Sequence, residues 1–205
     1  MGNRATTTSL TSRGADIKSA RAVPKILTPN LGDAQTFLTA LDPDPEAVFR
    51  FRVLPEKGAE SPIAPRVLPG SLAQHAKALT GFNQQKAGIY VMINASTGNT
   101  AKSVTRVRSY FVDKDGSPLH EFMDAPHPPD IIIETSEGKY HGYWLTADAP
   151  LEKFTERQLA LAEHFNGDHR VADLPRIMRV PGFWHQKYGV PFLSRFVKLG
   201  DKVFK

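Results

Sequence analysis

The sequence contains no cysteine, which excludes disulfide bonds and thiolate metal sites. No apolar run approaches the roughly 20 residues that a membrane-spanning helix needs, and the N-terminal region lacks the apolar segment of a secretory signal. The residue patterns of a Walker A phosphate loop and of an acyl-transfer triad are also missing. Together these absences predict a cytoplasmic protein that has no membrane partner.

The charge balance is basic, because 26 lysines and arginines against 21 acidic residues give a formal net charge of +5. Such a balance favours a polyanionic partner, since basic side chains at phosphates release counterions, but many basic proteins bind no nucleic acid. Residues 1–25 are polar and basic and offer little to bury, so they are predicted to form a flexible arm. Residues 26–205 suit one domain better than two.

Three helix starts are predicted from capping residues. Asp33 is expected to cap a helix that buries its apolar positions, which are Phe37, Leu38 and Leu41. Ser71 and Gln74 have the spacing of a capping box, and so do Thr155 and Gln158 further along. The inward positions of this last helix are predicted to be Leu159, Leu161, Ala162 and Phe165.

Two strands are predicted in the first half of the chain. Residues 47–54 (AVFRFRVL) alternate between apolar and basic side chains, as a half-buried strand does. Residues 88–94 (GIYVMIN) are almost wholly apolar, which favours a central strand. A loop is predicted after the first of these strands, where three prolines follow: Pro62, Pro65 and Pro69.

The second half of the chain adds a strand that ends in acids and a hairpin. Residues 107–116 (VRSYFVDKDG) form the strand, and the hairpin joins residues 131–135 to residues 139–145 through Ser-Glu-Gly. Because hairpins and intervening helices occur in mixed order, the predicted fold class is α+β with an antiparallel sheet, rather than a doubly wound sheet.

The end of the acidic strand offers a metal site. Asp113 and Asp115 are two residues apart, so both carboxylates can face one cavity. Such a pair can hold divalent cations that activate a hydroxyl and stabilise a leaving pyrophosphate. The alternative is ordinary turn chemistry, since Asp-Gly is common where a strand ends.

Polar residues around the hairpin could bind a triphosphate. His141 follows the turn closely and lies near Ser136 and Lys139 in sequence. An imidazole next to a hydroxyl and an ammonium suits phosphate binding, but a strand histidine that satisfies its own hydrogen bonds is the alternative.

The region after the last helix supplies a further acid and several cations. Asp168 follows Asn-Gly, where its carboxylate could take part in chemistry or cap the next short segment. The stretch 175–187 carries basic side chains around a Pro-Gly turn, and guanidinium groups suit phosphate binding. These side chains could equally form a solvated loop; they are Arg176, Arg179, His185 and Lys187.

Taken in order, three segments resemble the RepB-like primase family of plasmids, phages and prophages, within the archaeo-eukaryotic primase superfamily. They are FVDKDG, ETSEGKYHGYW and GDHRVADLPRIMRVPGFWHQK. The resemblance covers roughly residues 30–195 and implies that residues 26–205 are a primase catalytic domain. It also implies an RRM-like antiparallel sheet that carries the acids on its open face, helices behind the sheet, and an N-terminal α/β unit.

The resemblance implies roles for individual residues. The catalytic acids, which would hold two Mg²⁺ or Mn²⁺ ions, are Asp113, Asp115 and Asp168, with Asp173 as the competitor for the third position. The nucleotide-binding residues are Ser136, Lys139, His141, Arg176, Arg179 and Lys187. The implied reaction joins NTPs or dNTPs on a single-stranded DNA template, with a replicative helicase as a further partner. Two alternatives stay open: a non-catalytic module that binds single-stranded DNA at replication initiation, and a metal-dependent nuclease.

Overall fold

The computed structural model of the protein describes residues 1–2, 26–116 and 118–200, so the predicted basic arm lies almost wholly outside the described residues. The α-helices in these ranges are α1 Leu31–Leu41, α2 Leu72–Gln84, α3 His120–Met123 and α4 Phe154–His164. The strands are β1 Phe49–Pro55, β2 Arg66–Gly70, β3 Ala87–Met92, β4 Ala95–Ser96, β5 Val104–Arg106, β6 Ser109–Asp115, β7 Ile131–Ser136, β8 Lys139–Leu145, β9 Ile177–Arg179, β10 Trp184–His185, β11 Phe192–Leu193 and β12 Arg195–Leu199. None of the described helices is long and apolar enough to cross a membrane.

Two four-stranded antiparallel sheets organise the fold. The first has the order β2-β1-β3-β9 and the second the order β12-β7-β8-β6, while β4–β5 and β10–β11 form small ribbons. One hydrophobic core joins both large sheets to α1, because Phe37, Phe51, Ile89 and Phe111 belong to the same buried cluster. The predicted α+β class with antiparallel sheets is confirmed.

The first sheet follows the predicted patterns closely. In β1 the apolar side chains of Phe49, Phe51 and Val53 are buried, whereas the arginines between them are half-buried. Strand β3 lies between β1 and β9 and is therefore central, as its apolar sequence predicts. The loop predicted from the prolines is partly wrong, because β2 occupies its second half. Pro69 is accommodated since β2 is an edge strand, where a missing N–H breaks no interior ladder.

Helices contact both sides of the second sheet, and α1 packs on the side of Tyr143 and Phe111. In β6 the side chain of Phe111 joins the main core, while Val112 belongs to a second cluster with Phe122 and Phe165. Phe122 lies in α3 and Phe165 directly follows α4. These contacts place α3 and the C-terminal end of α4 on the Val112 side of β6, while Phe154 at the start of α4 contacts Phe111 in the main core.

Two of the three predicted helix starts need correction. The side chain of Asn30, not Asp33, caps α1 by accepting the N–H groups of Gly32 and Asp33. The capping box of α2 is confirmed, but α4 begins without a side-chain cap. Gln158 is buried and used elsewhere: its side chain exchanges two hydrogen bonds with the backbone of Phe111 and so ties α4 to β6. Leu159, predicted to point inward, is exposed.

Candidate active-site cleft

A cleft of about 370 Å³ opens where the two large sheets meet. The first sheet contributes the end of β1 and the residues that follow it, with side chains from β3 and β9. The second sheet contributes β6 and the β7–β8 hairpin. Because the two walls come from different sheets, residues far apart in the sequence face each other across it.

The acidic wall of the cleft is the end of β6. One side of this strand carries the side chains of Phe111, Asp113 and Asp115. Along this side the residues change from buried, at Phe111, to exposed, at Asp115. The side chain of Asp113 is 30% exposed and that of Asp115 is 70% exposed. Both carboxylates line the cleft, as expected for residues at this spacing.

Cross-strand pairing brings basic groups directly opposite these acids. In the antiparallel register of β6 and β8, Asp113 faces His141 and Asp115 faces Lys139. The Lys139 ammonium lies 3.0 Å from the Asp115 carboxylate. His141 is buried, with its Nε2 3.6 Å from Asp113 and its Nδ1 3.1 Å from the hydroxyl of Tyr143. Burial lowers the pKa of His141 and so favours the neutral imidazole, although the Asp113 charge opposes this effect.

The hairpin and β10 complete one side of the cleft. Ser136, at the end of β7, lines the cleft together with Thr135. The Nδ1 of His185 lies 2.9 Å from the Thr135 carbonyl oxygen, which accepts its N–H. Burial, followed by the charge of Arg179, lowers the pKa of His185. Its buried Nε2 finds no hydrogen-bond partner among the residues that the structure describes, so it is free to receive a ligand donor.

The basic residues after α4 differ in how fully they are engaged. Arg179 is buried and donates to Glu56 at 2.6 Å and to the hydroxyl of Tyr90 at 2.7 Å. Its guanidinium also lies 4.7 Å from the centre of the Tyr90 ring. Arg176 is paired with the exposed carboxylate of Asp173. Lys187 lines the cleft and has no carboxylate within ion-pair distance in the described part of the chain.

A turn at Pro181 and Gly182 connects β9 to β10, which lines the cleft through His185. The carbonyl of Gly182 accepts the N–H of Asn30 at 2.7 Å, which anchors the turn on the start of α1. Gly182 has φ +80°, and a Cβ there would collide with the Asn30 carbonyl oxygen. Glycine is therefore required at this close approach.

Asp168 lies next to the acidic wall but its carboxylate is occupied. Its backbone N–H donates to the carbonyl of Asp113 at 3.0 Å, so the two residues are neighbours. The carboxylate caps a short 3₁₀ helix and forms a bidentate pair with Arg170. Hydrogen bonds from Arg170 lower the pKa of Asp168. Asp168 is not among the cleft-lining residues, and Asp173, the competitor for its role, pairs with Arg176 instead.

The cleft thus gathers the predicted site residues apart from Asp168, and their roles there stay predictions. It also contains Glu56 and Tyr90, which sequence reasoning missed. Tyr90 was hidden inside an apolar run typical of a core strand. Glu56 gave no local signal, because its partner Arg179 is 123 positions away.

The donor set of the acidic wall fits a hard divalent cation. Among the described residues, no group of three or more His, Asp or Glu side chains is arranged to hold a metal ion. However, Mg²⁺ in phosphoryl-transfer sites is commonly bound by one or two carboxylates together with the substrate's phosphates. Asp113 and Asp115 on one side of β6 meet that requirement.

The fold has solved counterparts among primases. The archaeo-eukaryotic primase domain of the cyanophage S-2L primase-polymerase matches with a TM-score of 0.67 and 19% identity, over 87% of this chain and 98% of that one. A crystal structure of primase RepB′ matches with a TM-score of 0.59 and 17% identity, over 82% of this chain and 56% of that one. The catalytic domain of RepB′ in complex with initiator DNA matches with a TM-score of 0.58 and 17% identity, over 82% of this chain and 85% of that one. The fold is therefore that of archaeo-eukaryotic primase domains.

The sequence itself identifies the family. Residues 75–198 match the model of the RepB DNA-primase N-terminal domain, which is more than half of the chain. The chain belongs to the family of the RepB DNA-primase N-terminal domain. No curated protein matches the sequence.

Proposed function

We propose that the protein is a metal-dependent nucleotidyltransferase, a DNA primase or primase-polymerase that joins NTPs or dNTPs on single-stranded DNA. The observation that carries the proposal is the charge arrangement of the cleft: Asp113 and Asp115 stand on one wall, and Lys139, Arg176 and Lys187 surround them. A nucleoside triphosphate needs both signs, because its phosphates require cations and its metal requires carboxylates.

The basic and polar groups would hold the triphosphate. Lys139 and Lys187 provide ammonium groups, and Ser136 provides a hydroxyl. Arg176 can exchange the exposed Asp173 for a phosphate, since surface ion pairs are weak. Arg179 is held by Glu56 and Tyr90, so we assign it to shaping the floor of the cleft and to adding positive potential there.

In the proposed reaction the 3′-oxygen of one nucleotide attacks the α-phosphorus of the next, and pyrophosphate leaves. His141 lies between Asp113 and Tyr143, where it can orient the carboxylate or donate to a phosphate. The chain's own contribution is to position the reactants and neutralise charge.

Asp113 and Asp115 would hold Mg²⁺ or Mn²⁺, which would neutralise the charge that develops on the phosphates. We keep Asp168 as the proposed third ligand because its backbone touches Asp113. Its carboxylate would then have to leave Arg170, whose side chain is 89% exposed and free to move.

Single-stranded DNA is the proposed template. The complex of the RepB′ catalytic domain with initiator DNA supports DNA binding by this fold. The basic net charge of +5 is consistent with a polyanionic partner. A replicative helicase that exposes the template is a further proposed partner.

The test is a joining assay with a short single-stranded template, labelled NTPs or dNTPs, and Mg²⁺ or Mn²⁺. We expect template-dependent dinucleotides and longer products, which chelation of the metal abolishes. Asp113→Asn should abolish joining while the affinity for DNA is kept. Shortening of the labelled template would instead identify a nuclease, and DNA binding without any joining would identify a non-catalytic initiation module.

A further inference from the structure

A second pocket, of about 350 Å³, adjoins the catalytic cleft. It shares Ser136, Lys139, His185 and Lys187 with the cleft, so the two cavities are continuous. Its remaining wall comes mainly from Tyr188, Val190 and Pro191, which lie between β10 and β11, and from Phe192 at the start of β11. This volume falls within the about 300–1,000 Å³ typical of small-ligand sites.

Tyr188 is the most unusual residue of this pocket. Its side chain is exposed (63%), and its backbone has φ 56° and ψ 24°, the left-handed conformation that bulky residues rarely adopt. The backbone is held there because the N–H of Tyr188 donates to the Lys57 carbonyl at 3.2 Å. The ring lies against Gly58, where an added Cβ would come 2.5 Å from its Cδ1. An exposed aromatic ring in a strained backbone suggests a ligand-binding role rather than a packing role.

The aromatic rings of this pocket lie next to cations. The ammonium of Lys187 lies 5.3 Å from the centre of the Tyr188 ring. The guanidinium of Arg195, which also pairs with Glu134, lies 5.3 Å from the centre of the Phe192 ring. Aromatic platforms for bases beside basic groups for phosphates are the combination by which proteins hold single-stranded nucleic acid.

We propose that Tyr188 and Phe192 form a stacking platform for a base of the single-stranded DNA template, with Arg195 at an adjoining phosphate and Lys187 between this platform and the triphosphate site. Continuity with the cleft delivers the strand to the place where nucleotides are joined. The proposal rests on the proposed function, since it takes template DNA as the ligand. It adds a site on the β10–β11 segment that holds bases rather than phosphates.

The experiment combines a protein change with a DNA change. The affinities of the wild type and of Tyr188→Ala are measured by fluorescence anisotropy, in the presence of chelator, for an oligothymidylate and for the same oligonucleotide with abasic positions. The wild type should bind the base-containing strand about 5- to 150-fold more tightly, the range expected for loss of one stacked base. Tyr188→Ala should lose most of this preference, whereas Tyr188→Phe should keep it.

Two further variants keep the test independent of folding. Val48→Ala removes a side chain that is also exposed (53%) but lies outside both cavities, and it should leave the affinities unchanged. Tyr188→Asn places a residue that tolerates the left-handed conformation at this position. It should raise or maintain the Tm while weakening DNA binding, because the strain is relieved and the ring is lost.

Three results would overturn the proposal. The first is equal weakening of both strands by Tyr188→Ala, which would make the ring merely structural. The second is an unchanged DNA affinity with a raised KM for the nucleotide, which would assign the pocket to the base of the incoming nucleotide. The third is a wild type that does not prefer bases at all. By contrast, if the preference for bases is found but nothing is joined, the proposed function fails while the stacking site stands.

Discussion

A buried lysine helps to fix which way the acidic strand faces. Lys114 lies between Asp113 and Asp115 but on the other side of β6, where it is fully buried. Its ammonium donates to the Phe165 carbonyl at 2.7 Å, pairs with Glu121 and lies 5.4 Å from the Phe122 ring centre. A one-residue slip of the strand would expose this lysine in the cleft and bury both acids.

The substitution Lys114→Met tests whether this lysine stabilises the strand, and Lys139→Met, on the adjacent strand β8, is the control. Loss of the Lys114 ammonium leaves the Phe165 carbonyl unsatisfied, so the free energy of unfolding should fall by about 1–3 kcal/mol. Lys139 belongs to an exposed pair with Asp115, so its loss should change stability by less than about 1 kcal/mol. Chemical denaturation measures both. Joining by folded protein should survive better in Lys114→Met than in Lys139→Met, and the reverse order would contradict these assignments.

At the scale of elements, the docking of α4 on β6 shapes the acidic wall. After the end of α4, the N–H of Gly167 donates to the carbonyl of Ala162 at 2.8 Å. An added Cβ on Gly167 would lie 2.5 Å from Val112 Cγ1 and 3.2 Å from the carbonyl oxygen of Asp113. The close approach of the helix end to β6 therefore depends on the absence of a side chain at position 167.

We expect Gly167→Ala to lower the free energy of unfolding by about 1–3 kcal/mol, the usual cost of overpacking, and to reduce joining further by displacing Asp113. The matched control is Gly81→Ala within α2, where an added Cβ meets nothing within 4 Å. Since alanine is the better helix former, this control should stabilise the protein by about 0.5–1 kcal/mol. Thermal unfolding of both variants, with joining measured in parallel, separates packing at the cleft from a general effect of alanine.

Five of the twelve strands that the structure describes were predicted, together with three helices, because apolar patterning along the chain is a local signal. The short strands β4, β5, β9, β10 and β11, the edge strand β2 and the last strand β12 were not predicted. The failures came where distant residues take over a local role. Gln158 has the spacing of a capping-box residue, but its side chain is hydrogen-bonded to the backbone of Phe111 in β6 instead. Asp168 could be read as a ligand or a cap, and no sequence rule reveals that Arg170 encloses its carboxylate. Arg179 resembles a phosphate ligand until the fold brings Glu56 beside it.

At the scale of the whole molecule, we expect charge to govern the affinity for DNA. We propose that the basic residues of the first 25 positions add nonspecific template affinity; they are Arg4, Arg13, Lys18, Arg21 and Lys25, against the single acid Asp16. Each contact with single-stranded DNA contributes about 0.7 to the slope of log affinity against log salt concentration.

Deletion of residues 1–25 should therefore weaken template binding at low salt and flatten this slope by up to about 3.5. Joining at saturating template should stay near its original rate, because the cleft lies within the described residues beyond the deletion. A salt titration of the affinity, with joining measured for both forms, checks both expectations. A truncated protein that folds and binds template but joins nothing would place the segment in the active site.

The two-sheet construction of the cleft also has a consequence for biosynthesis. Strand β9 pairs with β3, yet it follows β3 by about 85 residues, and β12 must still arrive to pair with β7. At translation rates of roughly 5–20 residues per second, β9 is synthesised about 4–17 s after β3. Throughout that interval one edge of the apolar β3 is open to other chains. The cleft is therefore assembled late, after β9 has paired with β3 and β12 with β7.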